Sequence, residues 1–84
     1  MEDEKIIGLY FARNEQAIRE TSDKYGGLCM QISENILKNH SDAEECVNDT
    51  YLHTWNSIPP TRPRSLGAFV CRIARNLSIT RLRE

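Results

Sequence analysis

The chain has 84 residues, enough for one small domain with a single core. Hydrophobic residues make up 39% of it and charged residues 27%, which is typical of a globular protein. No apolar run approaches the length of a membrane span, and the start lacks a secretory signal segment. Three widely spaced cysteines argue against a disulfide framework and favour a reducing compartment. We therefore expect one cytoplasmic domain over residues 1–84.

Charge is divided unevenly along the chain. Residues 1–60 hold five basic and eleven acidic side chains, whereas residues 61–84 hold six arginines, no lysine and one acid. The formal net charge of −1 therefore conceals an acidic segment followed by a basic one. Arginine binds phosphate and stacks on unstacked bases, and an acidic face suits a basic protein partner. This pattern predicts two binding surfaces of opposite sign.

The hydrophobic periodicity is helical throughout and predicts four helices with no strand. The first runs from about Asp3 to Ala12. The second follows an N-cap at Asn14 and runs to about Lys38. Its Gly26-Gly27 pair predicts a kink or a close helix crossing. The expected inner side of this helix is Ile18, Tyr25, Leu28, Cys29, Ile32 and Ile36.

The third helix is predicted from Asp42 to about Ser57, because Ser41 to Glu44 form an S-x-x-E capping box. Two prolines stop it, and Ser65 is the predicted N-cap of a fourth helix that runs to about Arg83. The expected inner residues of the third helix are Ala43, Cys46, Val47, Thr50, Thr54 and Ile58. Those of the fourth are Leu66, Phe69, Val70, Ile73 and Leu77. The sequence thus predicts an all-α fold, a compact bundle of four helices.

The third helix carries a polar outer stripe on the side opposite its core residues. At helical spacing, the stripe consists of Glu45, Asn48, Asp49, Leu52 and Asn56. One interpretation is an ordinary solvated face. The other is a partner-binding face, because the stripe includes an apolar residue, borders Trp55 and has no basic residue to neutralise it. The pattern alone leaves both interpretations open.

A second outer stripe lies on the fourth helix and consists of Arg72, Arg75, Asn76, Ile79 and Arg83. The helix dipole accounts for arginines in the last turn, Arg81 and Arg83, but not for those in the middle. The loop before the helix adds Arg62 and Arg64, so four arginines converge on one corner and predict an electrostatic site. Three prolines in five residues stiffen this loop, either for binding or as a connector that turns the chain.

No motif for catalysis or metal binding is found. His40 and His53 have no cysteine or histidine at metal-ligand spacing. There is no glycine-rich phosphate loop and no recognisable nucleophile–histidine–aspartate arrangement. We therefore expect no enzyme activity, no metal and no cofactor.

Two segments, Asp42–Ile58 and Phe69–Arg83, closely resemble the second conserved region of bacterial sigma factors of the sigma-70 family. The resemblance is greatest to the short extracytoplasmic-function (ECF) group. It rests on a helix of the form "DAE…V…T…W", a short loop and a helix of the form "F…RIARN…RLR", in that order and spacing. It extends from about Asn14 to Arg83, and the N-terminal helix also fits.

The resemblance implies a helical domain that docks on the β′ clamp helices of RNA polymerase core. It also implies recognition and melting of the promoter minus-ten element as non-template single strand. The implied polymerase contacts are Glu45, Asn48, Asp49, Leu52 and Trp55. The implied DNA-binding residues are Arg62, Pro63, Arg64, Ser65, Phe69, Arg72, Arg75 and Asn76. The loop from Pro60 to Ser65 would hold a flipped-out base, with Phe69 as the candidate wedge.

The chain departs from the family in two places. Asn48-Asp49 stand where many members have Gln-Glu, and Val70-Cys71 stand where many have aromatic residues. The family's second helix-turn-helix domain has no counterpart here, so the chain is expected to be a fragment of a longer factor. The alternative is a helical interaction module sequestered by an anti-sigma-like regulator without direct DNA binding; a duplex reader is disfavoured by the proline loop.

Overall fold

The structure is a computed structural model that describes residues 1–84 and contains four α-helices and no strand. The helices are α1 (Asp3–Phe11), α2 (Gln16–Leu37), α3 (His40–Ser57) and α4 (Leu66–Leu82). The longest of them, α2, packs against each of the other three, and α3 also packs against α4. This arrangement confirms the predicted all-α class and the bundle of four helices. None of the helices combines the length and the apolar character needed to cross a membrane.

Side-chain caps set two of the helix starts. Ser65 is in an extended conformation, and its Oγ accepts from the N–H of Ala68 at 3.1 Å, as predicted for the start of α4. The capping box predicted at Ser41 is wrong, because α3 begins earlier, at His40. Asn39 is extended instead, and its Oδ1 accepts from the N–H of Asp42 at 2.9 Å. Asparagine is as good an N-cap as serine, and here it comes first in the chain.

The hydrophobic core lies where the inner sides of all four helices meet. Its members are Ile6, Ile7, Tyr10, Ala17, Cys29, Val47, Ile58, Leu66, Val70 and Ala74. Every residue predicted for the inner side of α3 is buried. On α2 the prediction is partly wrong, since Leu28 is 49% exposed while Thr21 and Ser33 are fully buried. Because α2 contacts three helices at once, small side chains occupy much of its buried surface.

Every buried hydroxyl group has a hydrogen-bond partner, so threonine, serine and tyrosine side chains can occupy core positions where aliphatic residues would be expected. Tyr10 and Thr21 share a hydrogen bond of 2.6 Å, and Thr21 also donates to the carbonyl of Ala17. Ser78 on α4 hydrogen-bonds Ser33 on α2 at 2.8 Å. No buried side-chain nitrogen or oxygen lacks a partner, so none of these polar groups carries an uncompensated desolvation cost.

The glycine pair in α2 marks a close helix crossing, and the helix is continuous through it. A Cβ atom added to Gly26 would lie 2.8 Å from the hydroxyl oxygen of Tyr51 on α3. A Cβ atom on Gly67, at the start of α4, would lie 2.8 Å from the ring of Tyr25 on α2. A larger residue at Gly26 or Gly67 would have to displace one of these tyrosine side chains, so the two glycines allow α2 to lie close to α3 and to the start of α4.

Candidate nucleic-acid and protein interfaces

A cleft of about 270 Å³ lies at the junction between the proline loop and α4. We call it the loop cleft. Its walls are formed by Pro63, Arg64, Ser65, Ala68, Phe69 and Arg72. Five of these six residues are among those predicted to bind DNA. Ala68 was not predicted, although it lies one helical turn before Arg72 on α4, at i, i+4 spacing, which is a signal that could have revealed it.

The geometry of the loop cleft follows from the start of α4. The Ser65 cap holds the loop against the first turn of the helix, and the Phe69 N–H donates to the Ser65 carbonyl at 3.0 Å. Phe69 is partly buried and packs against the core, so its ring is anchored from behind. One aromatic side chain of fixed position therefore lines the cleft between two exposed arginines, Arg64 and Arg72.

The guanidinium groups of Arg64 and Arg72 make no hydrogen bond or ion pair within the chain. The arginine side chains that do make such contacts are Arg13, Arg62 and Arg81. An unpaired guanidinium group keeps all five of its N–H donors and its full positive charge for a ligand. The loop cleft therefore combines an aromatic surface with two free cations, which is the combination that binds unpaired nucleotides.

Arg62 is placed differently from the other predicted DNA-binding residues. Its guanidinium carbon lies 4.5 Å from the centroid of the Phe11 ring, and its Nη1 lies 3.6 Å from Glu4 Oε2. It does not line the loop cleft and is held on the α1 side of the loop. The Glu4 contact is exposed at both partners, and such ion pairs contribute little.

Arg75 and Asn76 also lie outside the loop cleft. Both are exposed on α4, beyond Arg72 in the direction of the helix C-terminus. Neither side chain has a partner within the chain. They extend the basic surface from the cleft along the helix, as expected from their spacing with Arg72.

The role of Arg13 was not predicted from the sequence. Its Nη1 donates to the carbonyl of Trp55 at 2.9 Å and to that of Ile58 at 2.7 Å. Its guanidinium carbon also lies 3.6 Å from the Trp55 ring centroid. The residue has a φ of 54°, in the left-handed region, and occupies the turn between α1 and α2. Arg13 thus ties that turn to the end of α3 and the start of the proline loop, and no local spacing rule connects residues so far apart.

The residues of the predicted outer stripe of α3 are exposed, but Trp55, which borders the stripe, is only partly exposed. Asn48, Asp49 and Leu52 are exposed, and Leu52 is 56% accessible although it is apolar. Trp55 is partly buried against the core and is covered by Arg13. Its ring is therefore less available to a partner than an outward-facing aromatic residue would be.

The stripe contains no basic residue of its own, but a residue of another helix neutralises its N-terminal end. Arg81 on α4 pairs with Glu45 at 3.0 Å and with Asp42 at 2.9 Å. The hydrogen bond to Asp42, followed by the charges of both carboxylates, raises the pKa of Arg81. Arg81 therefore links α4 to α3 instead of only completing the dipole of its own helix. The remaining free part of the stripe is Asn48, Asp49, Leu52 and Asn56.

The cysteines are free, and two of them are buried. Burial, with a smaller contribution from neighbouring Cys71, raises the pKa of the Cys29 thiol to about 12. Burial likewise raises the pKa of Cys46. Both thiols are protonated near neutral pH and act as small apolar side chains. No group of three or more His, Cys, Asp and Glu side chains is arranged to hold a metal ion.

Comparison with known proteins identifies one family. Its model, Sigma-70 region 2, matches residues 22–84, which contain most of α2, all of α3 and α4, and the loop cleft. No curated protein and no solved structure matches the chain. The match covers three quarters of the sequence and supports a sigma-factor role in RNA polymerase binding and promoter recognition. The chain therefore belongs to the Sigma-70 region 2 family.

Proposed function

We propose that this chain is the region 2 domain of an ECF-type sigma factor. It docks on the β′ clamp helices of RNA polymerase through α3 and captures the melted non-template strand of the minus-ten element at the start of α4. The observation that supports this most strongly is the loop cleft, in which Phe69 lies between two unpaired arginines. Sigma-type promoter recognition needs such a site, whereas a purely structural bundle does not.

The size of the loop cleft favours one extruded base as its ligand. A volume of about 270 Å³ accommodates a single base but not the width of a duplex. Unstacked bases bind on aromatic side chains and on arginine planes, and the energy of unpairing is lowest where the strand is already open. Arg75 and Asn76 then lie where they can contact the adjoining strand along α4. The site therefore favours single-stranded over double-stranded DNA.

The free part of the α3 stripe is the proposed docking surface for the polymerase. Asp49 is exposed and has no ion-pair partner, and it is followed one turn later by the exposed apolar side chain of Leu52. An apolar anchor beside an unpaired carboxylate suits a partner helix that carries both apolar and basic residues. Asn48 adds a donor and an acceptor on the same face.

Docking and strand capture use adjacent helices of one rigid core. Since α3 leads directly into the proline loop, binding through α3 brings the loop cleft to a defined position on the polymerase. The domain carries out no chemical step in this scheme. It stabilises the open promoter because it binds the melted strand better than the duplex.

The first experiment is a titration of the chain against a purified β′ clamp-helix fragment. We expect saturable binding that Asp49→Ala weakens by about fivefold to tenfold, because an interfacial charge loses its partner. Asp23→Ala is the matched control, since Asp23 is exposed on α2 and away from the proposed surface. Failure of the folded chain to bind, or equal binding by the Asp49 variant, would contradict the docking surface.

The same preparation tests strand capture with fluorescently labelled single-stranded and double-stranded minus-ten oligonucleotides. We expect tighter binding of the single strand at a fixed low salt concentration. Preference for duplex would indicate a conventional groove reader. Binding of protein partners with no DNA affinity under any condition would favour the sequestered interaction module.

A further inference from the structure

Building on the proposed function, we propose that the loop cleft selects its extruded base by two adjacent hydrogen-bond acceptors. Guanine and cytosine present such a pair, whereas adenine and thymine do not. The inference concerns the chemistry of the ligand and rests on which side-chain donors line the cleft.

The polar side chains of the cleft offer donors almost exclusively. Each of the two guanidinium groups, on Arg64 and Arg72, carries five N–H donors and no acceptor. The third polar side chain, Ser65, already accepts from the Ala68 N–H through Oγ, which leaves it one O–H donor and one acceptor lone pair against the ten N–H donors of the two arginines. No carboxylate or amide side chain lines the cleft to accept from an exocyclic amino group.

A guanidinium group is most selective when two parallel N–H donors meet two neighbouring acceptors. Guanine supplies O6 and N7 side by side, which is the pairing that arginine uses most often on DNA. Cytosine supplies N3 and O2 on its Watson–Crick edge, which is accessible once the base is unpaired. Adenine places the N6 amino donor beside each neighbouring ring acceptor, and thymine places N3–H between its two carbonyls, so both leave one donor of the fork unmatched.

The guanidinium groups of the two cleft arginines are free for this purpose, whereas those of Arg13 and Arg81 make structural contacts. Arg13 is bound to the carbonyls at the end of α3, and Arg81 is bound to Asp42 and Glu45. Phe69 is anchored by the core and offers a surface on which a base can stack. A base held there exposes its edges to the donors at the sides of the cleft.

The experiment measures fluorescence anisotropy of short labelled thymidine strands in which one central nucleotide is dG, dC, dA or dT. We expect dG and dC strands to bind about fivefold to tenfold more tightly than dA and dT strands, the lower part of the range for a bidentate arginine–base pair. A strand with 7-deaza-dG, which lacks N7, should lose the advantage of dG. The comparison of dG with dC shows which of the two bases fits better.

Variants test whether the arginine fork is responsible. Arg64→Lys and Arg72→Lys keep the positive charge but lose the planar pair of donors, so each should reduce the ratio of dG or dC over dA affinity. Arg83→Lys is the matched control, since Arg83 is the C-cap of α4 and lies outside the cleft, and it should preserve the ratio.

The experiments separate failure of the base selectivity, failure of the arginine role and failure of the proposed function. Equal affinity for all four strands, or preference for dA, overturns the selectivity but leaves strand capture standing. Selectivity that survives both lysine variants overturns the role of the arginines. If the folded chain binds none of the strands, the proposed function fails, and this inference fails with it.

Discussion

The arginines at the two ends of α4 are in opposite situations. Near the C-terminus, Arg81 is bound by two carboxylates of α3 and serves as a link between helices. Near the N-terminus, Arg64 and Arg72 border the loop cleft and have no partner within the chain. The sequence separates them only through the helix dipole, which accounts for Arg81, and it does not show which of them pair within the chain. Their comparison teaches that a run of arginines marks a binding surface only where the fold leaves the guanidinium groups unpaired.

Arg13 is in a third situation, because its guanidinium group binds backbone carbonyls and not carboxylates. The last carbonyls of a helix lack partners within the helix, and a cation there is favoured by the dipole. Arg13 meets this need for α3 from another part of the chain. The proposed strand-binding region is therefore supported by an arginine that does not itself line the cleft.

The largest effect on stability is expected for Arg13→Ala. This change removes two hydrogen bonds and the contact with Trp55, and charged hydrogen bonds of this kind, partly exposed here, contribute about 1–2 kcal/mol together. Urea unfolding measures the loss, and the fluorescence of Trp55, the one tryptophan, reports the change at the contact directly. Arg19→Ala, an exposed arginine with no side-chain partner, should change the stability by less than about 0.5 kcal/mol.

At the loop cleft, Arg72→Ala should weaken single-strand binding by about tenfold, because one of the two free cations that line the cleft is lost. Its urea midpoint should be close to that of the parent, since the exposed side chain makes no hydrogen bond or ion pair within the chain. Anisotropy titrations at matched salt and urea unfolding give the two values. A lower midpoint with unchanged binding would reverse the roles assigned to the two ends of α4.

Arg81→Ala should reduce stability and leave single-strand binding largely intact, the reverse of what we expect for Arg72→Ala. It should lower the urea midpoint, by less than Arg13→Ala does, because the lost ion pairs are partly exposed. The loss should shrink at high salt, where such pairs are screened. Single-strand binding should change less than in the Arg72 variant. A drop in binding as large as that of Arg72→Ala would show that pairing within the chain does not exclude an arginine from the DNA surface.

The smallest expected effect is on the pH dependence of stability, and it concerns His40 instead of an arginine. The hydrogen bond to Glu34, with the charges of Glu34 and Glu44, raises the pKa of His40 above its ordinary value. A raised pKa in the folded state stabilises the protein below the unfolded-state pKa, and the contribution disappears as the pH rises through the folded value. The urea midpoint, compared between about pH 5.5 and about pH 8, should therefore fall more in the parent than in Glu34→Gln. Equal changes in the two proteins would show that this pair contributes nothing.

Much of the fold was predictable because helix formation is read from local spacing. The four helices, the Ser65 cap and the buried side of α3 follow from residues within one or two turns of each other. The incorrect predictions lie where two residues could each cap the same helix, and where one helix packs against several others. Asn39 replaces Ser41 as the cap of α3, and Leu28 is exposed because α2 accommodates close neighbours with small residues.

The helical class and the two outer stripes follow from the sequence alone, because each depends on spacing along one segment. Of the six residues that line the loop cleft, five were predicted, Arg64 and Arg72 from charge and Pro63, Ser65 and Phe69 from the family resemblance. Which charges remain free depends on the tertiary structure. Arg81 meets Glu45 across 36 positions, and Arg13 meets Ile58 across 45. Such pairs depend on how the helices pack, and local periodicity contains no information about them. The availability of Arg64 and Arg72 to a ligand is likewise a property of the packed bundle, because the packing places no hydrogen-bond or ion-pair partner beside either guanidinium group.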